Sequence, residues 1–282
     1  MRLGVTALLS DRTAGPAELA RAAEERGFDS LYLPEHTHLP LRDDVPPAAV
    51  DGVVVDDYRR TVDPLVALAA AASVTTRLRL GTGVLLVAQH DPLVLAKQVA
   101  TLDHLSAGRV VLGVGFGWNR AEADDHGVPF AERRAVAEDH VRCLRALWTM
   151  TEAEYHGPYV DVPPCWSWPK PVQPSVPVLV GGGAGRRVFE AVVAYGDGWL
   201  PIGAAGLSSS MAELARVAEA AGRDPTSLRV VPFGTLPTTA KLEHLVALGV
   251  DEVVLRVPTG PPPAMEATLD AYAQLVAAFA DA

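Results

Sequence analysis

Short aliphatic runs alternate with amphipathic stretches along the whole chain. Eight runs read as strands: Leu3–Leu9, Ser30–Pro34, Arg77–Val87, Arg109–Gly117, Val176–Gly182, Gly198–Ile202, Leu228–Gly234 and Glu252–Pro258. Each precedes a stretch with helical spacing of its apolar positions. The first helix is expected over Pro16–Arg26, with Pro16 at its start and Gly27 as its stop. The second spans Asp63–Val74 and the third opens at Asp91-Pro92, both with a capping Asp before a first-turn Pro. Ala121–Met150 is mostly helical, and Arg186–Tyr195, Ser208–Ala221, Lys241–Leu248 and Ala264–Ala280 complete the set. Eight strand-helix units predict an α/β fold, a (β/α)8 TIM barrel, in one domain over residues 1–282. A doubly wound open sheet is the alternative, but it seldom needs eight units. Two segments exceed ordinary loop length, Glu35–Arg60 after strand two and Glu152–Ser175 in the region after strand four. The second holds six prolines, and insertions of this kind are often lids or binding loops.

Composition narrows the function. The chain of 282 residues is 49% hydrophobic but only 6% aromatic, so its core is built from small aliphatic side chains, as in helix-covered parallel sheets. A net charge of −10 repels phosphate backbones and argues against a nucleic-acid partner. Two cysteines, Cys143 and Cys165, are too few for a disulfide framework and fit a reduced, cytoplasmic protein. The N-terminus reads as a strand rather than a signal peptide, and no apolar run is long enough to span a membrane.

Barrel chemistry belongs at the C-terminal strand ends. Strand two ends in Glu35-His36-Thr37-His38. Imidazole as a side-chain type can donate or accept a proton near neutrality, so His36 suits proton transfer, with the adjacent Glu35 expected to tune or orient it. His36-x-His38 also resembles half of a zinc site, but the remaining histidines do not fall at the ends of strands five or six, so no metal is expected. Strand four ends in Gly115-Phe116-Gly117-Trp118-Asn119, and Gly81 and Gly83 lie in the neighbouring strand. These glycines read as bare backbone for a flat ring, with Trp118 as wall or core packing and Asn119 as an amide ligand. The run Gly181-Gly182-Gly183-Ala184-Gly185-Arg186 enters a helix and reads as a phosphate cradle. A glycine-lined slot, a phosphate cradle and a titratable His together suit a phosphorylated flavin-like cofactor.

The stretches LYLPEHTHLP, RLRLGTGVLLV, HDPLVLAKQVATLDHLSAGRVVLGVGFGWNRAE, YHGPYV, WPKPVQPSVPVLVGGGAGRR and YGDGWLP resemble the luciferase-like monooxygenase superfamily, in its coenzyme F420-dependent oxidoreductase branch. The resemblance implies a (β/α)8 barrel with insertions, usually dimeric. It implies that His36 sits near the reactive ring carbon, following an acidic residue that is here Glu35. Gly83-Val84 matches a bulge that often holds a non-prolyl cis peptide behind the ring. Gly115, Gly117 and Asn119 match ring and ribityl contacts, and Gly181, Gly182, Ala184 and Gly185 match phosphate-side backbone contacts. His38 and Trp118 would face the substrate. There is a departure. The family's sugar-phosphate dehydrogenase carries a catalytic Glu directly after the strand-four glycines, where this chain has Trp118. Glu122 falls four residues on, in the helix, so neither sugar-phosphate oxidation nor a second acid at the site is expected.

The leading expectation is hydride transfer between coenzyme F420 and a small organic substrate, with His36 handling the proton and Trp166 and Trp168 of the proline-rich insertion covering the mouth. One alternative is an FMN-dependent monooxygenase that activates oxygen. Another is a non-catalytic cofactor-binding protein.

Overall fold

Asp63 and Asp91 do what their position before a proline predicts: each carboxylate accepts a backbone N–H of the following turn, from Val66 at 2.8 Å and Val94 at 2.9 Å. The computed structural model describes residues 1–41, 49–50 and 53–279, so residues 42–48 and 51–52 of the first insertion lie outside the described residues. The strands are β1 (Arg2–Thr6), β2 (Ser30–Leu33), β3 (Arg79–Thr82), β4 (Val110–Val114), β5 (Val178–Gly181), β6 (Gly198–Leu200), β7 (Arg229–Val230 and Phe233–Thr235) and β8 (Glu252–Arg256). Their helices are α1 (Pro16–Glu25), α2 (Pro64–Ala72), α3 (Pro92–Leu105), α4 (Arg133–Thr149), α5 (Arg186–Tyr195), α6 (Leu207–Ala220), α7 (Thr239–Ala247) and α8 (Pro262–Phe279).

All eight strands pair in parallel and in sequence order, and β1 also pairs with β8. The ring closes through β7, whose first part pairs with β6 and whose second part pairs with β8. The seventh strand, expected as one run, is broken at Val231-Pro232, where proline has no N–H for the ladder. This closed parallel ring with its helices is the (β/α)8 barrel, not the open sheet.

Side chains from β2 and from β4 through β8 fill the interior. Tyr32, Val111, Leu179, Leu200, Val231 and Val254 pack there, with Val84 and Phe233 above them. At the strand starts the interior is ionic. Glu252, fully buried, accepts from Ser30 Oγ at 2.7 Å and Arg229 Nη2 at 2.6 Å, and the Arg79 guanidinium lies 3.6 Å away. The sequence reading treats the strand starts as ordinary, because a charge cluster assembled from the first residues of β2, β3, β7 and β8 has no local pattern.

The proline-rich insertion forms an antiparallel hairpin, Ala153–His156 with Asp161–Cys165, but it does not cover the mouth. It follows α4 and so begins at the end of the barrel opposite the active face. Asp139 of α4 binds the hairpin through Tyr155 Oη and the Tyr159 and Val160 N–H groups. Lys97 and His104 of α3 then hold the carbonyls of Trp168 and Lys170 along the outer wall. Trp166 and Trp168 are left exposed on that wall. Among the described residues no helix is long and apolar enough to cross a membrane.

Candidate active site

A cavity of about 820 Å³ opens at the C-terminal ends of the strands. Its floor is Val84. The Gly83–Val84 peptide bond is cis, and the chain then bends away from β3 into a 3-10 turn, Val87–Gln89. The Val84 side chain fits between two strand-end glycines. A Cβ on Gly115 would lie 2.2 Å from Val84 Cγ2, and one on Gly181 would lie 2.4 Å from Val84 Cγ1. These glycines are bare because a neighbouring valine occupies the space above them. The flat-backbone reading is corrected accordingly: Val84 presents the apolar surface, flanked by Gly115 and Gly181. Gly117 has φ +71°, which favours glycine, and turns the chain from β4 into the rim.

His36 lies on the cavity wall with a side chain only 6% exposed. Its Nδ1 is 2.9 Å from Glu122 Oε2, and the other carboxylate oxygen accepts the Thr37 N–H at 3.1 Å. A carboxylate can only accept, so Nδ1 carries the proton and Nε2 is the nitrogen available to a ligand. Tyr58 and Trp118 meet the imidazole edge to face, at centroid distances of 5.2 Å and 5.3 Å. This ring is held on three sides by an acid and two aromatics.

Glu122 is therefore the residue that sequence reasoning missed, and the expectation of no second acid is corrected. The short helix Arg120–Asp125 begins at Asn119, whose Oδ1 accepts the Ala121 and Glu122 N–H groups. Asn119 is thus a buried helix cap, not a cavity-lining amide. The spacing Asn-x-x-Glu has the form of a capping signal. Here the cap places its Glu in the first turn, aimed back at the end of β2.

No hydrogen bond joins Glu35 to His36, and the expectation that it orients that ring is corrected. Its Oε2 accepts the Leu86 N–H at 2.5 Å and its Oε1 takes His90 Nε2 at 2.8 Å. Burial alone would push the His90 pKa down, but the hydrogen bond and charge of Glu35 outweigh it and raise it. Successive residues of an extended segment point opposite ways, so Glu35 reaches toward β3 while His36 reaches toward Glu122. Glu35 anchors the segment that carries Val84.

Of the remaining expected residues, Gly83, Gly117, Trp118, Gly181 and Gly182 line the cavity. His38 does not: it is exposed, with Nδ1 2.9 Å from Thr37 Oγ1 and Nε2 3.1 Å from Asp125 Oδ2. Gly183, Ala184, Gly185 and Arg186 lie beyond the lining, at the entrance to α5. Arg186 is turned outward onto Glu190 at 2.8 Å. Among the described residues no group of His, Cys, Asp and Glu is placed to hold a metal ion.

The barrel, the apolar floor at the strand ends and the acid-held imidazole define a ligand-binding α/β barrel of the enzyme type. The chain belongs to the luciferase-like monooxygenase family, whose model matches residues 5–279. It is 45% identical to an uncharacterised protein of Mycobacterium tuberculosis over 92% of both chains. It is 33% identical to an F420-dependent glucose-6-phosphate dehydrogenase of Kineococcus radiotolerans, over 71% of this chain and 56% of that one. Its fold is similar to that of an F420-dependent secondary alcohol dehydrogenase solved with an F420-acetone adduct, with a TM-score of 0.75, 18% identity and 98% of each chain covered.

Proposed function

We propose that this protein is an oxidoreductase that moves a hydride between coenzyme F420 and a small organic substrate. The observation that carries the reading is the pairing of an apolar, glycine-flanked floor with an imidazole whose Nδ1 is held by Glu122 and whose Nε2 has no hydrogen-bond partner among the described residues. The F420-dependent relatives support the choice of cofactor. When bound, this cofactor supplies two-electron hydride chemistry at a carbon of its central ring. Val84 would carry the ring, and the chain's own fit to it is the valine surface exposed between Gly115 and Gly181. His36 Nε2 takes the substrate hydroxyl proton in the oxidising direction and returns it in the reducing one. Glu122 fixes the tautomer and stabilises the imidazolium that forms. Tyr58, Trp118, Phe233 and Leu236 line the cavity and displace water from around that nitrogen.

FMN is the second reading, and the family's monooxygenase members favour it. Cytoplasmic residence, supported by the free thiols Cys143 and Cys165, and a homodimer, supported by the family resemblance, belong to the same proposal. The test is an anaerobic titration of the protein with coenzyme F420 and separately with FMN, read by tryptophan fluorescence. Preferential binding of the deazaflavin supports hydride transfer. Preferential binding of FMN, with oxygen uptake once the flavin is reduced, moves the protein to the oxygen-activating reading. Binding of neither ends both.

A further inference from the structure

Three successive residues after β2 meet one side of the short helix Arg120–Asp125. His36 and the Thr37 N–H bind Glu122, the Thr37 hydroxyl lies 2.7 Å from His126 Nε2, and His38 Nε2 lies 3.1 Å from Asp125 Oδ2. Positions 122, 125 and 126 are spaced i, i+3 and i+4, so they project to the same side of the turn. A second set of contacts therefore stands directly beside the His36–Glu122 pair, one turn further along.

One carboxylate fixes the protons of this second set. Asp125 only accepts, so His38 carries its proton on Nε2 and leaves Nδ1 bare when the ring is neutral. Thr37 Oγ1, 2.9 Å from that nitrogen, donates to it. A hydroxyl has a single proton, so the same oxygen accepts from His126, which carries its own proton on Nε2. The relay runs from His126 through Thr37 and His38 to Asp125, with a donor facing an acceptor at every step. It fastens the C-terminal end of the short helix, whose N-terminal end is closed by Asn119. A helix of 6 residues holds little structure by itself. Glu122 sits fully buried between these two fastenings.

We propose that Thr37, His38, Asp125 and His126 are positioning residues for the His36 imidazole: their relay at the rim sets the place of Glu122, and with it the share of His36 that carries its proton on Nδ1. None of the four is among the residues that line the cavity, so they act through Glu122. The use of this positioning in proton transfer rests on the hydride-transfer reading above, whereas its effect on the imidazole does not.

The experiment reads the His36 tautomer by nitrogen NMR of labelled histidine at about pH 8.5, where an ordinary imidazole is neutral. The His36 signal is identified by its loss in His36→Gln. Thr37→Val keeps the N–H that reaches Glu122 and removes only the hydroxyl. Losing the relay should lower the ratio of Nδ1–H to Nε2–H in His36 about 2–10-fold. Thr37→Ser should restore the ratio. Asp125→Ala should lower it to a similar degree, with little further loss when combined with Thr37→Val, because both break one relay. Affinity for coenzyme F420, titrated on the same proteins, should stay within about 2-fold of wild type. An unchanged ratio in Thr37→Val and Asp125→Ala overturns the proposal, as does a fall that Thr37→Ser fails to repair. A fall matched by an equal loss of F420 affinity assigns the relay to general packing of the rim and overturns it too. Failure of F420 to bind wild type ends the cofactor reading and leaves the tautomer result to judge the relay. A urea midpoint for each protein detects lost folding. If Thr37→Val does not fold, the exposed Asp125→Ala site carries the same test.

Discussion

Gly115→Ala distinguishes two reasons for a bare strand end. The new methyl would stand 2.2 Å from Val84 Cγ2, whereas carbon atoms pack at about 3.5–4.0 Å. Val84 would have to withdraw by about 1.5 Å. It has little room, because its other methyl group already fills the space above Gly181. Overpacking of this kind costs about 1–3 kcal/mol. Restricting the unfolded chain at a former glycine offsets about 0.4–1 kcal/mol of that. The net expectation is a destabilisation of about 1–2 kcal/mol, which for a domain of this size lowers Tm by roughly 2–8 °C. The assay is urea unfolding of four proteins: wild type, Gly115→Ala, Val84→Ala and the double variant. Trimming Val84 removes the clash, so the double variant should be more stable than the two single losses add to, with a coupling of about 0.5–3 kcal/mol. Strict additivity, or a Gly115→Ala protein as stable as wild type that binds cofactor less well, would refute the packing argument and restore the glycine as a direct bed for the ring.

The other predictions concern the acids. Glu122→Gln leaves one acceptor oxygen for two N–H donors, His36 Nδ1 and Thr37, so turnover should fall about 10²–10⁴-fold while cofactor affinity stays near wild type; steady-state kinetics beside a binding titration checks both halves. Glu24 is buried enough to be pushed up, but backbone N–H groups of Arg77, Thr76 and Leu78 outweigh this and hold its pKa at about 2. Its folded pKa is depressed, so its contribution is full above the ordinary value of 4.5 and is lost as pH falls toward about 2. Glu24→Gln should therefore cost about 1 kcal/mol at pH 7, discounted for solvent screening, and almost nothing near pH 2 in urea melts. His90 has a raised pKa, so the stability it gains from Glu35 is full below its ordinary value of 6.5 and is lost as pH rises through the higher folded value. His90→Gln should flatten that alkaline decline, and an unchanged stability profile between pH 6 and 9 would count against the Glu35–His90 pair.

The barrel was legible in the chain. Period, caps and breakers are local properties: Asp63-Pro64 and Asp91-Pro92 start helices, Gly27 ends one, and eight aliphatic runs mark the eight strands. The motif stretches placed His36 at a strand end, and the resemblance matched Gly83–Val84 to a bulge that often holds a cis bond, but only the structure shows the bond to be cis here. Partnership was not legible. Glu35 is adjacent to His36 in sequence but belongs to His90 and Leu86, while Glu122, 86 residues away, holds the imidazole. Gly115 and Gly181 were recognisable as required glycines, yet only the packed structure shows that Val84 requires them. The proline-rich insertion looked like a lid, and its attachment to α3 and α4 puts it on the outer wall. Local sequence determines the elements because backbone sterics and periodicity act over a few residues. Which side chains meet at the site is decided by strand order and register, since ring closure brings together residues from eight separate places in the chain.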